Sequence, residues 1–393
     1  MYTSRKADRR NNLKIMEDPE NKILKKLTIV IPSFNRQSYI LRQIKFWKNE
    51  LAKVIILDGS LNPIDISKNE IPPNIYYIHN NSTIENRLKI AESMIETSYS
   101  VLLSDDEFFI PSALKNCVIE LEKNKEYSVC KGCAVAFDFL FDKVNGYPIY
   151  EKLKNYIVDQ SKKEDRLNFH LGNYQMAVLW GITRTDVFLK MLRAISKGPY
   201  SSAAAAEITC SIIGAWEGKI KVINELMWLR SFENQNIWWS FGRLHFHYWS
   251  CLSQYKEEFK RFISTIVLEI KTNNESYKEV ENKIILGIEK HTMYCNSLKI
   301  NNPNRFPKPS NSSFIIQYRL IKNKLLFMKK KFKFLLKRLI FLITGKDYWY
   351  KSIYDVLIQI EKNNISVNFE EIEKCILLIK SHHFSASKKG KFI

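Results

Sequence analysis

The chain has 393 residues, of which 45% are hydrophobic and 26% charged, a balance that is typical of a folded protein and excludes a disordered chain. Lys and Arg total 61 against 41 Asp and Glu, so the formal net charge of +20 indicates an anionic partner such as a phosphorylated substrate, a phospholipid surface or nucleic acid. No apolar run is long enough to span a bilayer, and the charged start MYTSRKADRRNNLK lacks the apolar core of a secretion signal.

Strands alternate with helices after a polar start, residues 1–26, which we predict to be a loose leader. The predicted strands cover residues 27–32, 53–60, 74–80 and 99–107, and the predicted helices cover 38–51 and 82–96. Ser38 is available to cap the first helix, and Ser82 with Glu85 forms a capping box at the second. Because each strand is almost continuously apolar, the pattern predicts an α/β fold whose mostly parallel sheet has helices on both faces.

The later elements are less regular. We predict a helix ending near residue 125, a strand at 129–141, a polar substrate loop at 150–175, a strand and a helix within 177–192, and a helix, a turn at Gly218 and a strand within 201–234. The predicted domain boundaries are a leader at 1–26, an α/β domain at 27–235, a helical, aromatic-rich extension at 236–310, a basic amphipathic segment at 311–351 and a helical pair at 352–393.

Polar residues follow three of the predicted strands at their carboxyl ends, where parallel sheets bind ligands. These groups are Ser33-Asn35-Arg36, Asp58-Gly59-Ser60 and Asp105-Asp106-Glu107. Three adjacent acids repel one another unless a positive charge compensates them. The acidic triplet is therefore either a solvated turn or a site for a divalent cation carried by a nucleoside diphosphate.

Taken together, LTIVIPSFNR, VIILDGS and VLLSDDEFF resemble the nucleotide-binding half of the family 2-like glycosyltransferases with a GT-A fold, and more narrowly a bacterial subgroup linked to surface polysaccharide synthesis. The resemblance covers residues 27–235. It implies a nucleotide-sugar donor, with a UDP-sugar favoured, and a hydroxyl acceptor on a glycan, a lipid-linked sugar or a protein.

The resemblance also implies roles for individual residues. Asp105 would face the ribose and the cation, Glu107 would ligate Mn²⁺ or Mg²⁺, and Asp106 could share that work. Glu107 departs from the family pattern, which ends this motif in Asp. The residues implied to contact the nucleotide sugar are Pro32, Phe34, Asn35, Arg36, Asp58, Arg87, Asp105 and Asp106. Asp58 has an alternative role in an Asx turn, and Arg87 could instead lie on a solvated helix face.

An inverting transfer needs a carboxylate that takes the proton of the acceptor hydroxyl. By the family pattern this base is Glu207, which opens a helix that Gly218 ends, although Ala206 stands where the family usually has a first acid. The alternative for Glu207 is an acid favoured by the helix dipole, and Asp186 is a weaker candidate for the base. Residues 228–240, WLRSFENQNIWWS, lack the Q-x-x-R-W signature of processive synthases, so we predict single addition.

Other polar residues carry weaker predictions. His245 and His247 could reach a metal ion or an acceptor phosphate, or could be packing residues. Cys130 and Cys133 form a lone CxxC that favours a pair in the core over a zinc site. With seven cysteines at irregular spacing, the sequence predicts a reduced, cytoplasmic chain.

The segment 314–345 mixes Lys and Arg with Phe, Leu and Ile. It predicts adsorption to an anionic membrane surface, with packing on the main domain as the first alternative and nucleic-acid binding as the second. Two other functions stay open for the whole chain. One is a sugar-phosphate nucleotidyltransferase, which IPSFNRQS disfavours because it has no glycine, and the other is a degenerate nucleotide-sugar-binding module without turnover.

Overall fold

The structure is a computed structural model that describes residues 21–67, 70–202, 204–234, 244–301 and 351–388. Its strands are β1 (Leu27–Ser33), β2 (Lys53–Asp58), β3 (Ile75–His79), β4 (Tyr99–Leu102), β5 (Phe108–Phe109), β6 (Tyr127–Leu140), β7 (Lys143–Pro148), β8 (Ile157–Val158), β9 (Ile182–Arg184) and β10 (Lys219–Ser231). Its α-helices are α1 (Gln37–Trp47), α2 (Ile84–Met94), α3 (Pro111–Lys123), α4 (Lys163–Gly172), α5 (Thr185–Ile195), α6 (Ala205–Glu217), α7 (Phe246–Trp249), α8 (Lys256–Ile270), α9 (Tyr277–Asn301), α10 (Ile353–Lys362) and α11 (Phe369–Lys388).

One sheet contains all ten strands, in the order β3-β2-β1-β4-β9-β6-β10-β5, with β7 paired to β6 and β8 to β10. Strands β3, β2, β1 and β4 are mutually parallel, and so are β6 and β10. Strand β9 is antiparallel to both β4 and β6 and joins the two parallel parts. The register aligns Ser33 with Asp58, so β1 and β2 end at the same edge.

The strands are buried on both faces because successive side chains point to opposite sides of a sheet. In β1, Ile29 and Ile31 pack in the cluster that contains α1 and α3, whereas Val30 packs in the cluster that contains α2 and α5. Helices therefore cover both faces of the sheet. The predicted class, a mainly parallel α/β sheet followed by helical elements, is confirmed.

The C-terminal helices are part of the same hydrophobic core. Helices α8 and α9 share a buried cluster with α4, α5 and α6, and α10 and α11 pack in the cluster that contains α1 and α3. The predicted basic segment 314–345 lies outside the described residues. No helix in the described part of the chain is both long enough and apolar enough to cross a membrane. The predicted domain boundaries stay a prediction.

Several local predictions were wrong. Residues 21–26, assigned to a loose leader, form a 3₁₀ helix that buries Leu24. Ser38 does not cap α1, because the helix begins earlier, at Gln37. Thr83 takes the place predicted for Ser82 and accepts a hydrogen bond from the backbone of the residue three positions later.

The largest difference lies in the segment 150–175, which is not an irregular loop but contains β8 and α4. Helix α4 buries Leu167, His170 and Leu171 on one face. The fourth strand is also shorter than predicted. It ends at Leu102, so the acidic triplet lies in the loop that follows it.

Candidate active site

The carboxyl ends of β1, β2 and β4 bring the predicted polar groups into direct contact. The Ser33 hydroxyl donates a hydrogen bond to Asp105 Oδ2 at 2.6 Å. The backbone N–H of Asn35 donates to Ser60 Oγ at 2.8 Å. Asn35 has a left-handed backbone with φ 56°, which turns the chain from β1 into α1. Three segments far apart in sequence thus form one site.

Arg36 is the central cation of this site. Its Nη1 lies 2.9 Å from Asp105 Oδ1 and 3.0 Å from Asp106 Oδ2, and Asn234 Nδ2 donates to the same Asp106 oxygen at 2.8 Å. Burial and the neighbouring Asp106 raise the pKa of Asp105 to about 6, although Arg36 and Ser33 oppose the shift. Burial lowers the pKa of Arg36, but the two carboxylates outweigh it and raise the pKa overall. One guanidinium therefore only partly compensates two buried acids.

Helix α1 fixes the backbone of the acidic loop with two polar side chains on its buried face. Gln43 Nε2 donates to the carbonyls of Asp105, at 2.9 Å, and of Glu107, at 2.7 Å. Arg42 Nη2 donates to the carbonyl of Asp106 at 2.8 Å. Neither residue belongs to a motif that could be recognised in the sequence. In the sequence they can be recognised as polar residues on the face of α1 that otherwise carries buried apolar side chains.

Glu107 has different partners from Asp105. Its Oε2 accepts a hydrogen bond from Trp228 Nε1 at 2.9 Å, and its Oε1 lies 4.0 Å from Arg230 Nε. Burial and the charge of Asp106 raise the pKa of Glu107 to about 8. At neutral pH the Glu107 side chain is therefore mainly protonated.

Arg230 is held between aromatic rings beside the acidic loop. Its Cζ lies 5.4 Å from the ring centre of Tyr150, 5.5 Å from that of Trp228 and 6.0 Å from that of Phe232. Within the described residues its guanidinium makes no hydrogen bond, and Glu107 is its one ion-pair partner, at 4.0 Å. An arginine whose planar donors are fixed and unused is suited to binding a phosphate oxygen pair.

Asp58 and Arg87 are both buried in the turn beside this site. Asp58 Oδ1 accepts hydrogen bonds from the backbone N–H and the hydroxyl of Ser60, and Oδ2 accepts one from the Tyr77 hydroxyl at 2.7 Å. Arg87 Nη1 donates to the carbonyls of Ser33 and Leu57, both at 2.6 Å. These contacts hold the strand ends together, so neither side chain is free to reach a nucleotide without losing them.

Phe34 and Pro32 differ in how far their side chains are exposed to a ligand. Phe34 follows β1 and is 54% exposed, so its ring is available to a ligand. Pro32 lies within β1 and aligns with Leu57 of β2. Of the two, Phe34 has the surface that a nucleotide base could stack against.

Glu207, the predicted base, lies in the first turn of α6 and is partly buried. Its Oε1 accepts a hydrogen bond from the Tyr174 hydroxyl. Burial raises the pKa of Glu207, while the Tyr174 hydrogen bond and the charge of Lys131 lower it.

Lys131 of β6 connects Glu207 to the acidic loop. Its side chain is fully buried, its Nζ lies 4.3 Å from the Trp228 ring centre, and it interacts electrostatically with both Glu107 and Glu207. Burial lowers the pKa of Lys131 to about 7. No sequence motif indicated this lysine, because its role depends on residues that are distant in the chain.

The weaker candidates lie elsewhere. Asp186 is exposed beyond β9, whose end aligns with the start of β4, so it lies at the edge of the sheet opposite the acidic loop. His247 is buried in α7 and its Nδ1 lies 2.7 Å from that of His245. Cys130 and Cys133 are both buried and belong to different hydrophobic clusters.

Asp105 and Asp106 fit a hard divalent cation by their chemistry. Carboxylate oxygens are the ligands that Mg²⁺ and Mn²⁺ prefer, and the repulsion that raises the Asp105 pKa is one that a cation would relieve. In the ranges that the structure describes, no three His, Cys, Asp or Glu side chains are grouped to hold a metal ion. A cation at this place would therefore have one or two protein ligands.

Comparison with protein-family models and with curated proteins gives no match. Among solved structures, the chain is similar to S. aureus TarS 1–349, with 10% identity over 71% of this chain and 75% of that one and a TM-score of 0.45. It is also similar to S. aureus TarS 1–349 in complex with UDP-GlcNAc, with 12% identity over 70% of this chain and 74% of that one and a TM-score of 0.47.

Proposed function

We propose that this chain is a glycosyltransferase that moves a sugar from a nucleoside diphosphate donor to a hydroxyl acceptor. The observation that carries the proposal is the pairing of Asp105 and Asp106 through Arg36 at the carboxyl edge of the parallel strands. It is supported by Arg230, whose donors are unused, and by Glu207, an acid linked to the same site through Lys131. The sequence motifs at the three strand ends favour the same function.

Each group has a defined part in the proposed reaction. The donor diphosphate lies against Arg230 and the Asp105–Asp106 pair, and the base stacks near Phe34. Glu207 takes the proton of the acceptor hydroxyl, whose oxygen attacks the anomeric carbon from the face opposite the diphosphate, so the configuration inverts. The carbon–oxygen bond to the diphosphate breaks, and the electron pair leaves with the nucleoside diphosphate.

A divalent cation, when bound, stabilises the negative charge of the departing diphosphate as a Lewis acid. We propose Asp105 and Asp106 as its protein ligands. Glu107, the other predicted ligand, would first have to leave Trp228 and lose its proton. Its expected contribution is therefore smaller than that of Asp106.

The acceptor and the cellular context are proposed more broadly. The proposed acceptor is a hydroxyl group of a glycan, a lipid-linked sugar or a protein, and one sugar is added per acceptor. The proposed role is in surface polysaccharide or glycoconjugate synthesis. A cytoplasmic enzyme adsorbed to the inner membrane face through residues 314–345 suits a lipid-linked acceptor. Those residues lie outside the described part of the chain, so this part of the proposal depends on composition alone.

Calorimetric titration tests donor binding directly. UDP, GDP, CDP, dTDP and ADP would each be titrated with Mn²⁺, with Mg²⁺ and with EDTA into wild type, Asp106→Asn and Asp186→Asn. We expect one nucleotide to bind and chelator or Asp106→Asn to weaken it at least about tenfold, the loss of one charge-assisted contact. Asp186→Asn is the matched control, because the same change is made at the opposite edge of the sheet. If no nucleotide binds, the proposal is wrong.

Turnover then separates the proposed function from its alternatives. Release of nucleoside diphosphate from the matching nucleotide sugar that depends on an added sugar acceptor identifies a glycosyltransferase. Glu207→Gln should lower that rate by about 10²- to 10⁴-fold, the usual contribution of a general base. Binding without turnover would identify a degenerate binding module. Release of pyrophosphate from a nucleoside triphosphate and a sugar phosphate would identify a nucleotidyltransferase.

A further inference from the structure

The two oxygens of Glu207 have different surroundings. Oε1 accepts the hydrogen bond of the Tyr174 hydroxyl, whereas Oε2 accepts none from any described residue. A carboxylate held in this way has one oxygen fixed and the other available to a substrate proton. This is the arrangement of a general base oriented by a neighbouring donor.

The Tyr174 ring is itself fixed by two buried imidazoles. Its centre lies 5.0 Å from that of His291, at an edge-to-face angle of 75°, and 5.6 Å from that of His170. His170 Nδ1 is in turn hydrogen-bonded to the Tyr156 hydroxyl at 2.8 Å. His291 belongs to α9, so the helical extension contributes directly to the position of the tyrosine.

The loop that carries Tyr174 is tied to the sheet by the buried lysine. Lys131 Nζ donates to the carbonyl of Met176 at 2.6 Å, two residues after Tyr174. The same ammonium lies over the Trp228 ring, and the Trp228 indole donates to Glu107. A continuous set of contacts therefore connects the acidic loop to the tyrosine that holds Glu207.

We propose that Tyr174 is a positioning residue for Glu207, which it orients by holding Oε1 while the loop is anchored by Lys131 and α9. The inference rests on the proposed function, because it assigns Glu207 the role of base. It gives the described part of the helical extension, residues 244–301, a function in catalysis. The extension supports the tyrosine through the contact of His291 with the Tyr174 ring, and this role does not require contact with the substrate.

The test uses Tyr174→Phe, which keeps the ring packing and removes the hydroxyl. With the nucleotide sugar identified above as probe, we expect kcat to fall about 10- to 100-fold with KM unchanged, the effect of a misplaced catalytic group. Because the hydrogen bond lowers the pKa of Glu207, the acidic limb of the kcat–pH profile should move to higher pH. Besides Tyr174, the titratable groups that face Glu207 are Lys131 and Cys210, and both remain in the variant.

Tyr200→Phe is the matched control, because Tyr200 lies in the same hydrophobic cluster and its buried hydroxyl has no hydrogen-bond partner among the described residues. It should leave kcat and the pH profile unchanged. An equal loss in both variants, or none in Tyr174→Phe, would overturn the proposal. Turnover retained by Glu207→Gln would instead overturn the assignment of the base itself, and a wild type that turns over no nucleotide sugar would overturn the proposed function and this inference with it.

A second measurement detects the contact without any substrate. Urea unfolding of Tyr174→Phe, Glu207→Gln and the double variant gives the coupling between the two side chains. We expect the shifts in unfolding midpoint to be non-additive for this pair and additive for Tyr200→Phe with Glu207→Gln. Additive shifts for the first pair would show that Tyr174 does not hold Glu207, and would refute the proposal.

Discussion

Glu233 is a buried carboxylate whose replacement should measurably destabilise the protein. It follows β10 and pairs with Arg42, whose Nη2 lies 3.0 Å from Glu233 Oε2, and with His383 of α11. Burial raises its pKa, but the charge of Arg42 and the His383 hydrogen bond outweigh burial and bring the pKa from 4.5 to about 2. At 1.36 kcal/mol per unit this shift corresponds to about 3 kcal/mol, similar to the cost of breaking a buried ion pair.

The assay is urea unfolding of wild type and Glu233→Gln at several pH values. We expect the variant to be about 3 kcal/mol less stable at pH 7. The folded pKa of Glu233 is depressed, so its stabilising effect is complete above the unfolded value of 4.5 and is lost as the pH falls towards 2. The difference between the two proteins should therefore shrink by about 1.4 kcal/mol per pH unit below pH 4.5.

A matched control is available in α11. Glu370 is an exposed acid that pairs with Lys374 one helical turn away. Glu370→Gln should change the unfolding free energy by only about 0.3–0.5 kcal/mol, the usual contribution of such a pair. The reasoning would be refuted if Glu233→Gln cost no more than this control, or if its cost did not change with pH.

Three further predictions concern other features. The pKa of Glu107 is 4.5 in the unfolded chain and about 8 in the folded chain, so wild type loses stability as the pH rises between these values. The free energy of unfolding of Glu107→Gln should therefore rise relative to that of wild type by about 3 kcal/mol between pH 4.5 and pH 7. A difference in urea unfolding that does not change with pH would contradict this. Asp58→Asn should cost about 1–3 kcal/mol in the same assay, because a buried acceptor of the Ser60 and Tyr77 hydrogen bonds becomes a donor; equal stability would mean that the carboxylate is not needed there. Gly132→Ala places a Cβ 2.6 Å from a backbone oxygen and should lower the stability by about 1–3 kcal/mol. Gly172→Ala is its control, because the added Cβ meets only one atom, at 3.7 Å, and should have no measurable cost. Equal melting temperatures of the two variants in thermal unfolding would contradict the packing around Gly132.

The sheet could be predicted from the sequence because its signal is local. Apolar β-branched strands such as β1 and β2 stand out in the sequence, and each ends at polar residues. Helix α4 was missed because the surrounding segment is polar, although Leu167, His170 and Leu171 have helical spacing. Strands β5 and β8 were missed because each has only two residues and pairs with β10. Strand β7 pairs with β6 and was missed because its sequence, KVNGYP, contains Asn, Gly and Pro, which are typical of turns.

The candidate site was predicted only in part. The strand-end motifs located Arg36 and Asp105, since parallel strands that end together bring such residues into contact. Lys131, Tyr174 and Arg230 could not be found in this way, because each acts through a partner from another part of the chain. A buried lysine or arginine inside an apolar strand is the sequence signal that could indicate such residues.

The ion pair of Glu233 with Arg42 and His383 has a consequence for how the protein is made. The contact between α11 and Glu233 joins residues 150 positions apart, and Arg42 also holds the carbonyl of Asp106 in the acidic loop. During synthesis, the strands that carry the motifs leave the ribosome long before α11 does. The candidate active site can therefore acquire its complete support only after α11 has been made, so a chain released before that point should hold the motifs but not a finished site.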